Sequence, residues 1–155
     1  MEMTYYYSTN GDGTTYGGFR PFMDGDTAYA PDWNPDPECE CGGGLHVVTG
    51  HPLYALAFVT RTNPIFCEVV VIDSNPERGG KIRCRGLTRL REIDQQTDPL
   101  FDQAVLIGIA ESDRHWDVRI AAVNRITDPA ALLRIAETDS RWIVRIAAVN
   151  CIVKT

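Results

Sequence analysis

The sequence predicts an α+β protein, with a small mixed, β-rich N-terminal domain over residues 1–95 and a short array of α-helical repeats over residues 96–155. Three observations carry that expectation. The first is an internal repeat: Ile109 to Asn124, laid over Ile135 to Asn150 at a constant offset of 26 residues, is identical at twelve of sixteen positions. A repeat of this length is one helix pair. The second is texture, because before residue 95 the chain turns to tyrosine, glycine and proline broken by short β-branched runs. The third is charge. Residues 1–42 hold eight acids against Arg20 alone, whereas residues 77–91 hold six basic side chains against Glu77.

The elements follow in order along the chain. Met3 to Ser8 and Gly44 to Val48 read as strands, and Ile65 to Ile72 is the strongest, a β-branched run of strand length. Asn10 to Gly13 reads as a hairpin turn, and Ala30 to Pro37, with three prolines, as an irregular loop. Pro52 opens a helix through Phe58, which Val59-Thr60 ends. Lys81 to Arg85 alternates basic residues with Ile82 and Cys84, predicting a strand with a basic solvent face. The domain boundary falls near Ile93 to Thr97.

In the repeats, Asp98-Pro99 is expected to open the first helix. Asp128-Pro129 places an N-cap acceptor before a proline at the first helical position, and Leu132, Ile135 and Ala136 follow at helical spacing. Asp139 or Ser140 can cap the next helix, where Val144, Ala147, Ala148 and Cys151 form a buried stripe. Asp113, Val118, Ala121 and Ala122 repeat the pattern one unit earlier. No polar cap is visible after Ile152-Val153, so apolar surface there needs a cover, by the N-terminal domain or by a homodimer.

The chain has 155 residues, 44% hydrophobic and 23% charged, with a net charge of −6, which excludes collagen and long disordered tails. No apolar stretch approaches the ~20 residues of a bilayer span, and the start lacks signal-peptide order, so the expectation is cytoplasmic with no membrane contact. Five cysteines without secretory context read as reduced thiols.

Asp113-x4-Val118-Arg119-x-Ala121-Ala122 and its echo Asp139-x4-Val144-Arg145-x-Ala147-Ala148 resemble the HEAT family and its short bacterial, leucine-rich-repeat-variant forms. That resemblance implies a ladder of aspartates and arginines between units, assigning Asp113, Arg119, Asp139 and Arg145 to structure. The N-terminal part resembles an uncharacterised domain of bacteriophage and bacterial genomes, through Cys41 to Pro52, Cys67-Glu68-Val69 and Lys81 to Cys84. The same order of strand, helix and strand is faintly similar to ADP-ribosyltransferase folds.

That second similarity implies NAD as cofactor and His46, Thr49, Tyr54 and Glu68 as candidate catalytic residues. Such chemistry needs a ribose anchor, an aromatic wall and a glutamate that stabilises an oxocarbenium-like transition state. Cys39, Cys41, His46 and His51 carry the donors of a zinc site, although Cys-x-Cys is tighter than the usual spacing. Cys67, Cys84 and Cys151 read as small buried hydrophobes. Arg78, Lys81, Arg83, Arg85, Arg89 and Arg91 could meet phosphates of a nucleic acid, but the chain is acidic overall, and pairing with the acidic N-terminal residues is more economical. Trp116 and Trp142 recur at one repeat position, as do His115 and Arg141, residue types typical of interface anchors.

The reading is a protein-interaction module with no cofactor, more a binder than an enzyme. Its partner would be a host or defence complex, engaged by a phage or mobile-element accessory protein, with Asp24, Asp26, Asp32 and Asp36 as an acidic contact surface that imitates DNA.

Overall fold

A computed structural model describes residues 3–38 and 43–154 of the chain, which divides into two compact units, Met1–Ile93 and Asp94–Thr155. The first is β-rich and the second helical, so the protein is mixed α+β.

Five antiparallel strands build the first unit: β1 (Tyr5–Thr9), β2 (Thr27–Tyr29), β3 (Leu45–Val48), β4 (Ile65–Ser74) and β5 (Lys81–Glu92). β5 is the organiser. One of its edges carries β4, while the other carries β3 against Lys81 to Cys84 and then β2 against Gly86 to Thr88. β1 joins β3 to β4, with Tyr6 opposite both Val48 and Glu68, and the ring β1, β3, β5, β4 closes into a small barrel. Among the described residues, closure leaves no long unpaired edge to template aggregation.

The strand period of two sends Leu45 and Val47, Cys67 and Val69, and Ile82 and Cys84 into the barrel, where they pack with Tyr7 and Leu87. Between Cys84 and Leu87 the inward parity of β5 shifts by one. Gly86 lies at the shift, and a Cβ there would sit 2.7 Å from the Tyr29 ring and 2.9 Å from the Ala28 carbonyl. Only glycine lets β2 approach this closely.

Three local expectations are corrected. Asn10 to Gly13 does form a turn, closed by the Gly13 N–H on the Asn10 carbonyl at 2.9 Å. It is no hairpin, because both edges of β1 are already taken by β3 and β4, and β2, which the sequence did not signal, pairs with β5. Pro52–Ala57 is a 3-10 helix, capped where His51 Nδ1 accepts from the Leu53 N–H at 3.1 Å. The strand expected at Lys81 to Arg85 runs on to Glu92, and its basic face is interrupted because Arg83 is buried.

The second unit holds α1 (Gln103–Ser112), α2 (Trp116–Val123), α3 (Pro129–Thr138) and α4 (Trp142–Lys154), packed as the pairs α1/α2 and α3/α4, with α2 against α4. Asp98 caps a 3-10 turn, Pro99–Phe101, and α1 begins only after Asp102, whose extended backbone (ψ 145°) breaks the path. Asp128 accepts from the Ala130 N–H at 3.0 Å and so opens α3. Leu106, Ile109, Val118, Ala122, Leu132, Ile135, Val144 and Ala148 form the buried core. At one end, residues 94–101 close the stack: Phe101 is buried beneath Arg125, whose Nε and Nη2 both donate to Gln95 Oε1, at 3.0 and 2.8 Å. No helix among the described residues is long and apolar enough to cross a membrane.

Candidate functional site

The basic strand is occupied from within its own unit. Arg78 pairs with Glu38 at 3.2 Å, Arg85 with Asp73 at 2.8 Å, Arg89 with Asp26 at 2.8 Å and Arg91 with Glu68 at 2.8 Å. Aromatic rings lie beneath two of these cations and two others of the strand: Tyr29 under Arg85, Phe22 under Arg89, Phe58 under Lys81 and Trp33 under Arg83. The Asp26 hydrogen bond holds the Arg89 guanidinium above its usual pKa. Exposed pairs of this kind stabilise little, on the order of 0–1 kcal/mol each, but they use the charge that phosphates would need.

Arg83 differs in kind. Its guanidinium donates to the carbonyls of Asn34 (2.6 Å), Asp36 (2.7 Å) and Gly43, clamping the proline-rich loop onto β5. Gly44 (φ 144°) lies against its stem, where a Cβ would come 2.8 Å from Arg83 Cγ. The acidic residues are mostly local as well. Asp32 accepts from the N–H groups of Gly43 (3.3 Å) and Gly44 (3.2 Å), Asp36 Oδ1 accepts from the Glu38 N–H (3.0 Å), and Asp24 is exposed.

No hydrogen bond, ion pair or ring contact joins any two of His46, Thr49, Tyr54 and Glu68 among the described residues. β1 lies between β3, which carries His46, and β4, where Glu68 bonds Arg91. Burial, then Lys81 and Arg83, hold the His46 imidazole below its ordinary pKa, and its Nε2 is buried without a hydrogen-bond partner among the described residues. Thr49 is half-buried, and Tyr54 packs on His51, with its ring beside Gly50. Of the zinc candidates, Cys39 and Cys41 fall outside the described residues, and His51 Nδ1 serves as a cap. Among the described residues no three His, Cys, Asp or Glu side chains gather as a metal site.

Burial pushes the Cys67 thiol up to about 11 and the Cys84 thiol up to about 12. Neither holds the thiolate that a nucleophile needs. With Cys39→Ser and Cys41→Ser in the background, Ellman's reagent at pH 8 should label at most Cys151 in the folded protein, and all three remaining thiols in denaturant. Two or more equivalents labelled without denaturant would show an accessible thiolate in the barrel.

The helical unit offers the contrasting surface. Asp113 and Asp139 occupy the turns, accepting from the N–H groups of His115 and Arg141, each at 2.8 Å. Arg119 links the two pairs: Nε and Nη2 fork onto Asp139 at 2.9 and 3.1 Å, while Nη1 donates to the Asp113 carbonyl at 2.8 Å. Both side chains of this pair are buried.

Positions that the second pair covers in α2 stand open in α4. Val123 is 0% exposed and its equivalent Val149 46%; Trp116 is half-buried and Trp142 63% exposed; Ile120 is half-buried and Ile146 48% exposed. Trp142, Ile146, Val149 and Val153 fall at i, i+4, i+7 and i+11, one helical face. Arg141 and Arg145 stand at one end of α4 and Lys154 at the other, and the helix carries no acid. The sequence pattern singled out Trp142, Arg141 and their repeat partners, and the uncapped end at Ile152-Val153, but missed Ile146 and Val149. Tracing each repeat position across the 26-residue offset and asking what covers it would have found them. No family model, curated protein or solved structure matches the chain.

Proposed function

We propose that the protein is a protein-recognition module whose docking surface is the exposed face of α4, carried on two HEAT-like helical units. One observation supports the reading above others: residues identical or equivalent by the 26-residue repeat are covered on α2 and open on α4. Contiguous exposed apolar side chains that include a tryptophan are typical of interaction sites. The phage and bacterial resemblance of the N-terminal part supplies the partner class, a bacterial host or defence complex. The NAD and nucleic-acid readings gain no support, since Glu68 is bonded to Arg91 on a strand that β1 separates from that of His46, and the basic strand is paired internally.

Affinity capture from bacterial lysate tests the proposal. The protein should retain a stoichiometric partner that Ile146→Glu with Val149→Glu loses, while the circular dichroism spectrum stays unchanged because both side chains face solvent. The same capture by both proteins, or none by either, would overturn it.

A further inference from the structure

From the docking face just proposed, and resting on that reading, we infer that the occupant of α4 is an amphipathic helical segment of another protein that presents an aspartate or glutamate to Arg145. The first helix pair is the template. Arg119 is pinned through Nη1 to the carbonyl of Asp113, six residues earlier, and its free edge of Nε and Nη2 receives Asp139 from the next pair. Arg145 is pinned in the same way, Nη1 to the Asp139 carbonyl at 2.6 Å. The edge made by its Nε and Nη2 meets no carboxylate among the described residues. A guanidinium held by one edge keeps the other oriented as a bidentate receptor for a carboxylate. Beside it stand Trp142, Ile146 and Val149, the equivalents of the residues that α4 covers on α2.

Charge and closure choose the occupant. A second copy could continue the stack head to tail only through its own front face, and there Phe101, Ala122 and the Arg125–Gln95 fork are already buried or joined. A back-to-back dimer would set Arg141, Arg145 and Lys154 against their own copies, with no acid on α4 to relieve them. Like charges across an interface are strongly unfavourable, so the face selects an acid-bearing partner over itself.

Two synthetic helical peptides with the same leucine face, one flanked by glutamates and one by lysines, are titrated onto the full chain. Binding is followed by calorimetry and tryptophan fluorescence, with sedimentation to report oligomeric state. The glutamate peptide should bind about tenfold or more tighter. Arg145→Glu should invert that order, Arg145→Lys should weaken the preference without inverting it, and Trp142→Phe should remove most of the fluorescence change. Equal binding of the two peptides, binding of neither, or a homodimer dissociated by Ile146→Glu overturns the inference. Should Arg145→Glu not fold, Arg145→Gln replaces it and should abolish the preference. A lysate partner lost with Ile146→Glu and Val149→Glu but retained by Arg145→Glu would leave the recognition reading standing and remove the acidic partner.

Discussion

Asp139→Ala should destabilise the helical unit by about 3–5 kcal/mol, the range for stranding one member of a buried ion pair. The Asp139 carboxylate takes three donors, Arg119 Nε at 2.9 Å, Arg119 Nη2 at 3.1 Å and the Arg141 N–H at 2.8 Å. Alanine therefore removes the acceptor of the Arg141 N–H in the turn before α4, worth about 1 kcal/mol, and leaves a desolvated guanidinium with only the Asp113 carbonyl. Asp139→Asn keeps an acceptor for the Arg141 N–H but not the charge, and should fall between. Arg119→Met with Asp139→Ala should be less damaging than Asp139→Ala alone, because the double change removes the stranded cation as well. Urea unfolding followed at 222 nm reads the outcome, since all four α-helices belong to this unit. A loss below about 1 kcal/mol for Asp139→Ala would mean that the pair does not tie the helix pairs together. Arg145→Ala is the internal control: it occupies the same repeat position without a carboxylate, and should cost under about 1 kcal/mol in the isolated protein.

The two halves of the chain were legible in the sequence to different depths, for physical reasons. Helix signals are local. Asp128-Pro129 and the Leu132, Ile135 spacing act within one or two turns, and α3 indeed runs Pro129–Thr138. Asp98-Pro99 carries the same signal yet yields only a 3-10 turn, because the backbone straightens at Asp102 and Phe101 is drawn into the core. Barrel closure is a long-range property. It depends on β5 being twelve residues long and serving β4 on one edge and β2 and β3 on the other, which no window around Lys81 to Arg85 displays. Alternation likewise hid Arg83, whose neighbours look the same on paper as those of Arg85, although one is clamped inside a loop and the other pairs at the surface. On the candidate site, Trp142 was visible as a repeated aromatic. The open edge of Arg145 was not, because Asp and Arg recur six residues apart in both units, and what separates Arg119 from Arg145 is a carboxylate contributed by the following pair.

Arg83→Ala should cost the barrel unit about 2–4 kcal/mol, the scale of charge-assisted hydrogen bonds lost at a buried site. The guanidinium gathers three carbonyls from one irregular loop, those of Asn34, Asp36 and Gly43, and stacks over Trp33 with its Cζ 5.4 Å from the ring centroid. Loop backbone cannot satisfy these acceptors internally as a helix or sheet would, so one planar cation with diverging donors replaces a secondary structure. Lysine has no such fork, and Arg83→Lys should recover less than half of the loss. Hydrogen exchange should show amides of residues 30–38 deprotected in Arg83→Ala, and Trp33 fluorescence, read in a Trp116→Phe, Trp142→Phe background, should shift to the red. Arg85→Ala, which breaks an exposed pair with Asp73, should stay within about 0.5 kcal/mol. This contrast also separates the internal role of the basic strand from phosphate binding. If the arginines serve the fold, the two substitutions differ widely in stability, and any DNA affinity present is equally salt-insensitive in both. If Arg83→Ala proved as mild as Arg85→Ala while each flattened a steep salt dependence of DNA binding, the clamp would be incidental and the strand a nucleic-acid surface.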